Sequence, residues 1–184
     1  MRIGAVDVGA VQWYSIQERT RMTNERGVSV DGTVPVEIID YEERYKQALE
    51  DISLPWLLEY DLLEPVDLEM LADPNRFLAG GGRVLLARRG QEIVGMVMLE
   101  LQGDGVCEAL KFGVKAEYRQ NGIGTALMEA VIQAARAAGQ KTMVVTSNHK
   151  LKAALRIYEK LGFEYVTYSD KWFQLSDIRM ELEL

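Results

Sequence analysis

Apolar and polar positions along the chain fall into blocks with different periods. Residues 34–41 alternate and are rich in β-branched side chains, which predicts a first strand. Over residues 42–71 the spacing turns helical, and Pro55 and Pro65 divide it into two or three short helices. Asp73-Pro74 opens a further turn or short helix, which Gly80-Gly81-Gly82 ends. Residues 83–88 and 92–101 read as strands joined through Arg89-Gly90-Gln91. Gly103-Asp104-Gly105 is a second tight turn and 106–114 the next strand, giving a three-strand meander. Residues 124–138 are helical, with Leu127 and Val131 four apart and Gly139 as the stop. A near-continuous apolar strand follows at 141–147, as expected of a buried central strand. The last helix, 150–161, carries Leu151, Ala154, Leu155, Tyr158 and Leu161 on one face, and strands at 164–168 and 178–184 close the chain.

The first residues behave differently. Val6, Val8, Val11, Trp13 and Ile16 partly alternate, 17–24 is polar, and Gly27 and Gly32 break the pattern. Residues 1–32 are therefore expected to form an extended arm or an extra strand, set apart from one domain at 33–184. Met22 is a second candidate start of the chain.

The chemistry concentrates after the meander. Phe112-Gly113-Val114 ends a strand, and Arg119-Gln120-Asn121-Gly122-Ile123-Gly124 opens a helix. Glycines without Cβ let the backbone approach an anion, and the first free N–H groups of a helix point at it with the positive end of the dipole. The competing reading is a plain strand-to-helix turn. A dinucleotide fingerprint fits less well, since Gly-x-Gly-x-x-Gly fails at Leu127 and no βαβ unit opens the chain.

Composition narrows the partners. With 48% hydrophobic and 27% charged residues the chain is an ordinary globular sequence. A net charge of −7 argues against nucleic acid, whose binders usually present a basic face. One cysteine, Cys107, excludes an intramolecular disulfide, and with a single histidine, His149, a metal site is not expected. Without a signal pattern or an apolar run of about 18 residues, no membrane partner is expected and the chain reads as cytoplasmic. His149 is expected to face solvent at a helix start and Cys107 to pack at a strand edge.

The order of strand, Arg-x-x-Gly-x-Gly turn, helix, strand and a helix ending Tyr158-Glu159-Lys160-Leu161-Gly162-Phe163 resembles the GNAT superfamily of acetyl-CoA-dependent N-acetyltransferases. The likeness covers roughly residues 34 to 184 and includes Glu92-Ile93-Val94-Gly95 and the closing Ser176 to Leu182. It implies an α/β (α+β) fold with a twisted, mixed, mostly antiparallel sheet flanked by helices, its central strands splayed between Val114 and Met143. It implies that the pantetheine arm of acetyl-CoA pairs with Phe112, Gly113 and Val114. The pyrophosphate would sit over the amides of Gln120, Asn121, Gly122, Ile123, Gly124 and Thr125, with Lys111, Lys115 and Arg119 adding positive potential.

The same resemblance implies direct attack of a primary amine, small-molecule or peptide, on the thioester in a ternary complex. An alkyl ammonium of pKa ~10.4 is only about one part in two thousand neutral at pH 7, so a base has leverage. Tyr158 is the implied general acid. Its alternative is a core tyrosine on the apolar face of its helix. Glu108 is the candidate base or amine-binding carboxylate, and by alternation it shares a face with Leu110 and Phe112. Its alternative is a glutamate turned to solvent beside the 103–105 turn. Many members carry Glu at the end of the strand before the tyrosine helix and Asn seven residues before the tyrosine. Thr146 and Leu151 stand there instead. Asn148 is either a cofactor contact or a helix N-cap. Trp56, Glu59 and Tyr60 wall the acceptor pocket or, for Trp56 above all, pack in the core. A homodimer through the N-terminal arm is an analogy with the family, and a non-catalytic acyl-CoA-binding regulatory module is the rival to an enzyme.

Overall fold

The structure is a computed structural model and describes residues 34–169 and 173–184. The expected arm at 1–32 lies outside the described residues. In chain order the elements are β1 (Val36–Asp40), α1 (Lys46–Glu59), α2 (Pro65–Ala72), α3 (Asn75–Ala79), β2 (Arg83–Arg89), β3 (Glu92–Gly103), β4 (Val106–Val114), α4 (Ile123–Ala137), β5 (Thr142–Ser147), α5 (Lys152–Lys160), β6 (Glu164–Val166) and β7 (Ile178–Glu183). The strands form one sheet in the order β1-β2-β3-β4-β5-β7-β6, and every neighbouring pair is antiparallel except β4 with β5. This is the expected mixed, mostly antiparallel sheet with helices on both faces.

Both faces of the meander are buried, so its strands read as apolar runs rather than strict alternation. Val94, Val97 and Leu99 of β3 join the layer under α4 and α5 with Leu127, Val131 and Leu155. Ile93, Met96 and Met98 join the opposite layer with Leu49, Ile52, Met70 and Phe77 of α1 to α3.

Pro55 does not divide its helix as expected: α1 runs through it for 14 residues. Leu49, Ile52, Ser53 and Leu57 hold the helix to the sheet, while Pro55 and Asp51 are exposed. The Asp51 carbonyl that loses its donor to Pro55 therefore faces water, where the loss is cheapest.

Two departures from plain alternation position the site. Opposite β3, β4 carries one extra residue between Leu110 and Gly113, where the register jumps and Lys111 takes φ +50°. Such a bulge bends its strand and turns the residues beyond it over. The parallel pairing of β4 with β5 joins only Val106–Thr142, Cys107–Met143 and Glu108–Val144. From Ala109 onward β4 has no strand on that side, and a wedge-shaped gap opens toward Val114.

Candidate active site

A cavity of about 200 Å³ fills the gap. Phe112, Val114, Ala154 and Tyr158 line it from the α4–α5 side, and Trp56, Tyr60, Lys111, Asp67 and Phe173 from the α1–α2 side. Gly113 is the narrow point between them. A Cβ there would come within 2.9 Å of Trp56 Nε1 and 3.3 Å of Ile52.

At the mouth of the gap the chain enters α4 through Gln120 (φ +65°) and Gly122 (φ +77°). Gly122 is the N-cap, no side chain caps the helix, and the first backbone bond back to the cap is Ala126 N–H to Gly122 O, 3.0 Å. The N–H groups of Gly122, Ile123, Gly124 and Thr125 are thus the donors a helix start leaves over. Gln120, Asn121 and Gly122 are exposed. Asn121 donates its amide to the carbonyls of Tyr118 (3.4 Å) and Arg119 (3.3 Å), not toward those N–H groups. Gly124 is required by packing: a Cβ would sit 3.0 Å from Ile157 and 3.1 Å from Phe112. Of this segment Arg119 also lines the cavity, its Nε donating to Val114 O at 3.1 Å.

Lys111 and Lys115 do not add charge at this mouth as expected. Lys111 is buried on the α2 side in an ion pair with Asp67, and Lys115 is paired with Glu92 at 2.7 Å.

Tyr158 projects from α5 between Phe112 (ring centroids 5.9 Å apart) and Phe163 (5.6 Å) and is 5% exposed. Burial pushes its phenol well above the ordinary tyrosine range. Its hydroxyl has no hydrogen-bond partner among the described residues, while the side chain lines the cavity. The phenol therefore holds its proton at neutral pH and is free to meet a ligand.

The bulge corrects the alternation expected for Glu108. Glu108 keeps the face of Leu110, but Phe112 is turned to the other face, against Tyr158. Glu108 is 6% exposed and closes the base of the gap rather than walling the cavity. Gln102 Nε2 donates to one of its oxygens at 2.7 Å and Thr146 Oγ1 to the other at 2.8 Å. Burial raises its carboxyl pKa, and the Thr146 and Gln102 bonds oppose that rise. Thr146 lines the cavity and connects it to Glu108.

Asn148 is not the cap of α5, which begins at Lys152 with Leu151 as N-cap. Its Oδ1 accepts from Lys150 N–H at 2.9 Å and its Nδ2 donates to Leu175 O at 2.7 Å, so the side chain ties the β5–α5 turn to the segment before β7. His149 is exposed, as expected, and meets the Asp177 carboxylate through its ring and its backbone N–H. Cys107 is fully buried in the sheet and not at its edge; burial, then Glu108, pushes its thiol up to about 11. That makes it a poor nucleophile.

On the α1–α2 side Trp56 and Tyr60 wall the cavity as expected and Glu59 does not, while the polar network behind them was missed by sequence reasoning. Asp67 is 1% exposed and Lys111 8%. The Asp67 carboxylate accepts from Lys111 and, at 2.7 Å, from Glu64 N–H at the start of α2. Lys111 Nζ also lies 4.5 Å from the centre of the Phe173 ring. Glu64 accepts from the N–H groups of Gln174 and Leu175, both at 2.9 Å, and so fastens the wall that contains Phe173. Glu64-Pro65-Val66-Asp67 carries a helix-start signal, but nothing in the sequence links it to Lys111, 44 positions later.

Among the described residues no group of His, Cys, Asp and Glu is arranged to hold a metal ion, and no helix is long and apolar enough to cross a membrane.

The model of the acetyltransferase (GNAT) family matches residues 39–163. A GNAT-family acetyltransferase from Staphylococcus aureus Mu50 superposes with a TM-score of 0.73 at 22% identity, over 80% of this chain and 98% of that one. A GNAT-superfamily phosphinothricin acetyltransferase from Sinorhizobium meliloti, in complex with acetyl-CoA, gives 0.68 at 18% identity over 81% and 88%. The PaiA N-acetyltransferase of Thermoplasma acidophilum, in complex with coenzyme A, gives 0.66 at 16% over 81% and 99%. At these identities the likeness speaks for the fold. No curated protein sequence matches the chain significantly.

Proposed function

Because this chain belongs to the acetyltransferase (GNAT) family and is an acyltransferase, we propose that it moves an acetyl group from acetyl-CoA to a primary amine by direct attack in a ternary complex. The observation that carries the reading is the strand pairing that stops at Glu108–Val144, leaving a cavity with a phenol on one wall and an uncapped helix start at its mouth.

The residues fit the co-substrate. The open β4 edge from Phe112 to Val114 offers backbone donors and acceptors to the amides of a pantetheine arm. The N–H groups of Gln120 to Thr125 suit a diphosphate, and nothing lies within 4 Å of a Cβ placed on Gly122. Acetyl-CoA would supply the activated acetyl group there. Tyr158 gives its proton to the departing sulfur. At their free values a phenol of pKa ~10 is a weaker acid than a thiol of ~8.5 by about 1.5 units, and burial raises the phenol further, so the transfer is uphill and Tyr158 speeds turnover without being indispensable to it. The acceptor's proton passes to Thr146 Oγ1 as Thr146 passes its own to Glu108, whose burial-raised pKa makes it the stronger base. A covalent acetyl-enzyme is disfavoured, since burial pushes the Cys107 thiol up and, among the described residues, no cysteine–base pair lines the cavity.

The test is thiol release from acetyl-CoA across a panel of amines. Turnover that falls about 100-fold in Tyr158→Phe supports the reading. Binding without turnover, unchanged by that substitution, replaces it with the non-catalytic module.

A further inference from the structure

The α1–α2 wall of the cavity holds two polar groups whose hydrogen-bonding capacity the protein does not use. Trp56 Nε1 is buried and has no partner among the described residues. It lies against Gly113 on β4, 2.9 Å from where a Cβ would stand. An unpaired indole N–H in the interior is costly, and native structures retain such groups where a ligand completes them. Lys111, two positions earlier on β4, lines the same cavity with its side chain 5% exposed. An ammonium has three donors. One meets Asp67 Oδ1, the face of the Phe173 ring covers part of the group, and no other hydrogen bond reaches it among the described residues, although the carboxylates of Glu64 and Glu108 are near enough to act on its charge.

The carboxylates nearby are differently placed. Asp67 accepts from Lys111 and from Glu64 N–H, and Glu64 accepts from two backbone amides. The unfilled capacity here is therefore donor capacity, and it asks for oxygen. A polycationic acceptor would bring more donors to a wall that already has donors to spare.

Resting on the acetyltransferase reading above, we infer that the acceptor is an amine that carries a carboxylate, an α-amino acid being the simplest case. Its carboxylate receives Lys111 Nζ and Trp56 Nε1, while its amino group faces the gap at Thr146. The rest of the acceptor lies against Leu57, Leu62 and Phe173, which favours an apolar side chain. Burial lowers the pKa of Lys111, and the Asp67 carboxylate opposes that fall.

The experiment compares three acceptors of one skeleton in the acetyl-CoA assay: leucine, leucinamide and 3-methylbutylamine, with spermidine as the polycation. Leucine is expected to exceed 3-methylbutylamine in kcat/KM by about 10- to 100-fold, the range of one or two hydrogen bonds to a charged group. Leucinamide, which offers a neutral carbonyl, falls between them. Trp56→Phe keeps the ring and removes the N–H, and should raise KM for leucine several-fold more than KM for 3-methylbutylamine. The double variant Lys111→Met with Asp67→Asn removes the cation without leaving a buried charge, and should abolish the preference for the carboxylate. Equal or better turnover of 3-methylbutylamine or spermidine by the unaltered protein overturns the inference and leaves the acetyltransferase reading standing. Turnover of none of the four, together with no calorimetric heat on adding acetyl-CoA, overturns both.

Discussion

The two walls of the gap are built from different materials. On the α4–α5 side, the Tyr158 hydroxyl and Arg119 apart, the polar groups are main-chain: the N–H groups at the start of α4 and the open edge of β4, held in place by Gly122 and Gly124 and by the packing of Phe112 on Tyr158. On the α1–α2 side they are side chains gathered from distant positions, with Asp67 on Lys111, Glu64 on the amides of Gln174 and Leu175, and Trp56 against Gly113. A wall of backbone amides can hold a ligand common to many proteins, because it does not depend on which side chains surround it. A wall of paired side chains is particular to this chain, and its chemistry is where acceptor choice resides.

The contrast is most exposed in the buried ion pair. Asp67→Ala leaves Lys111 as an uncompensated charge and should cost roughly 3–5 kcal/mol of stability, read as a lower midpoint in urea unfolding. Adding Lys111→Met to that variant should recover most of the loss. A single variant as stable as the parent would mean that the pair is solvated and the wall not a dry one. On the other wall, Tyr158→Phe should lower kcat about 100-fold while leaving stability and acetyl-CoA affinity nearly unchanged, since its hydroxyl has no partner within the described protein to lose. A large loss of stability instead would make Tyr158 a packing residue.

These materials also decide what the sequence discloses. Glycine spacing is a direct record of backbone geometry, so the turn at Gly122 and Gly124, the strand before it and the helix bearing Tyr158 could all be read from residue order. The meander followed from period and turn chemistry, and the mixed sheet from the family resemblance. The bulge at Lys111 could not: one extra residue in an apolar strand leaves no mark in composition, yet it reverses Phe112 relative to Glu108. Pro55 misled because its breaking effect is local, whereas the apolar stripe that holds α1 together acts over the whole helix. The Asp67–Lys111 pair spans 44 positions and becomes visible only when the chain has folded.

Smaller effects separate the walls further. Gly122→Val places a β-branched residue at φ +77° in otherwise open space, so its penalty is conformational, roughly 1–2 kcal/mol. Much of it should appear as weaker acetyl-CoA binding by calorimetry, with the preference among acceptors untouched. The smallest effect concerns Glu108 and depends on pH. Its folded pKa lies above the ordinary 4.5, so the protonated form favours the fold at low pH and that advantage is lost as pH rises through the raised value. Relative to Glu108→Gln, the parent should therefore lose stability on going from acid to neutral pH. A difference that is flat, or that grows in the parent's favour, would show the carboxyl to be solvated.

The central claim is that backbone amides at the start of α4 and along the open end of β4 hold the acyl donor. Backbone amide NMR of the labelled protein titrated with acetyl-CoA tests it most directly. Saturable shifts concentrated at Gln120 to Thr125 and Phe112 to Val114 are the expected result. Saturation that leaves those amides unmoved, or that moves a different surface, would contradict it.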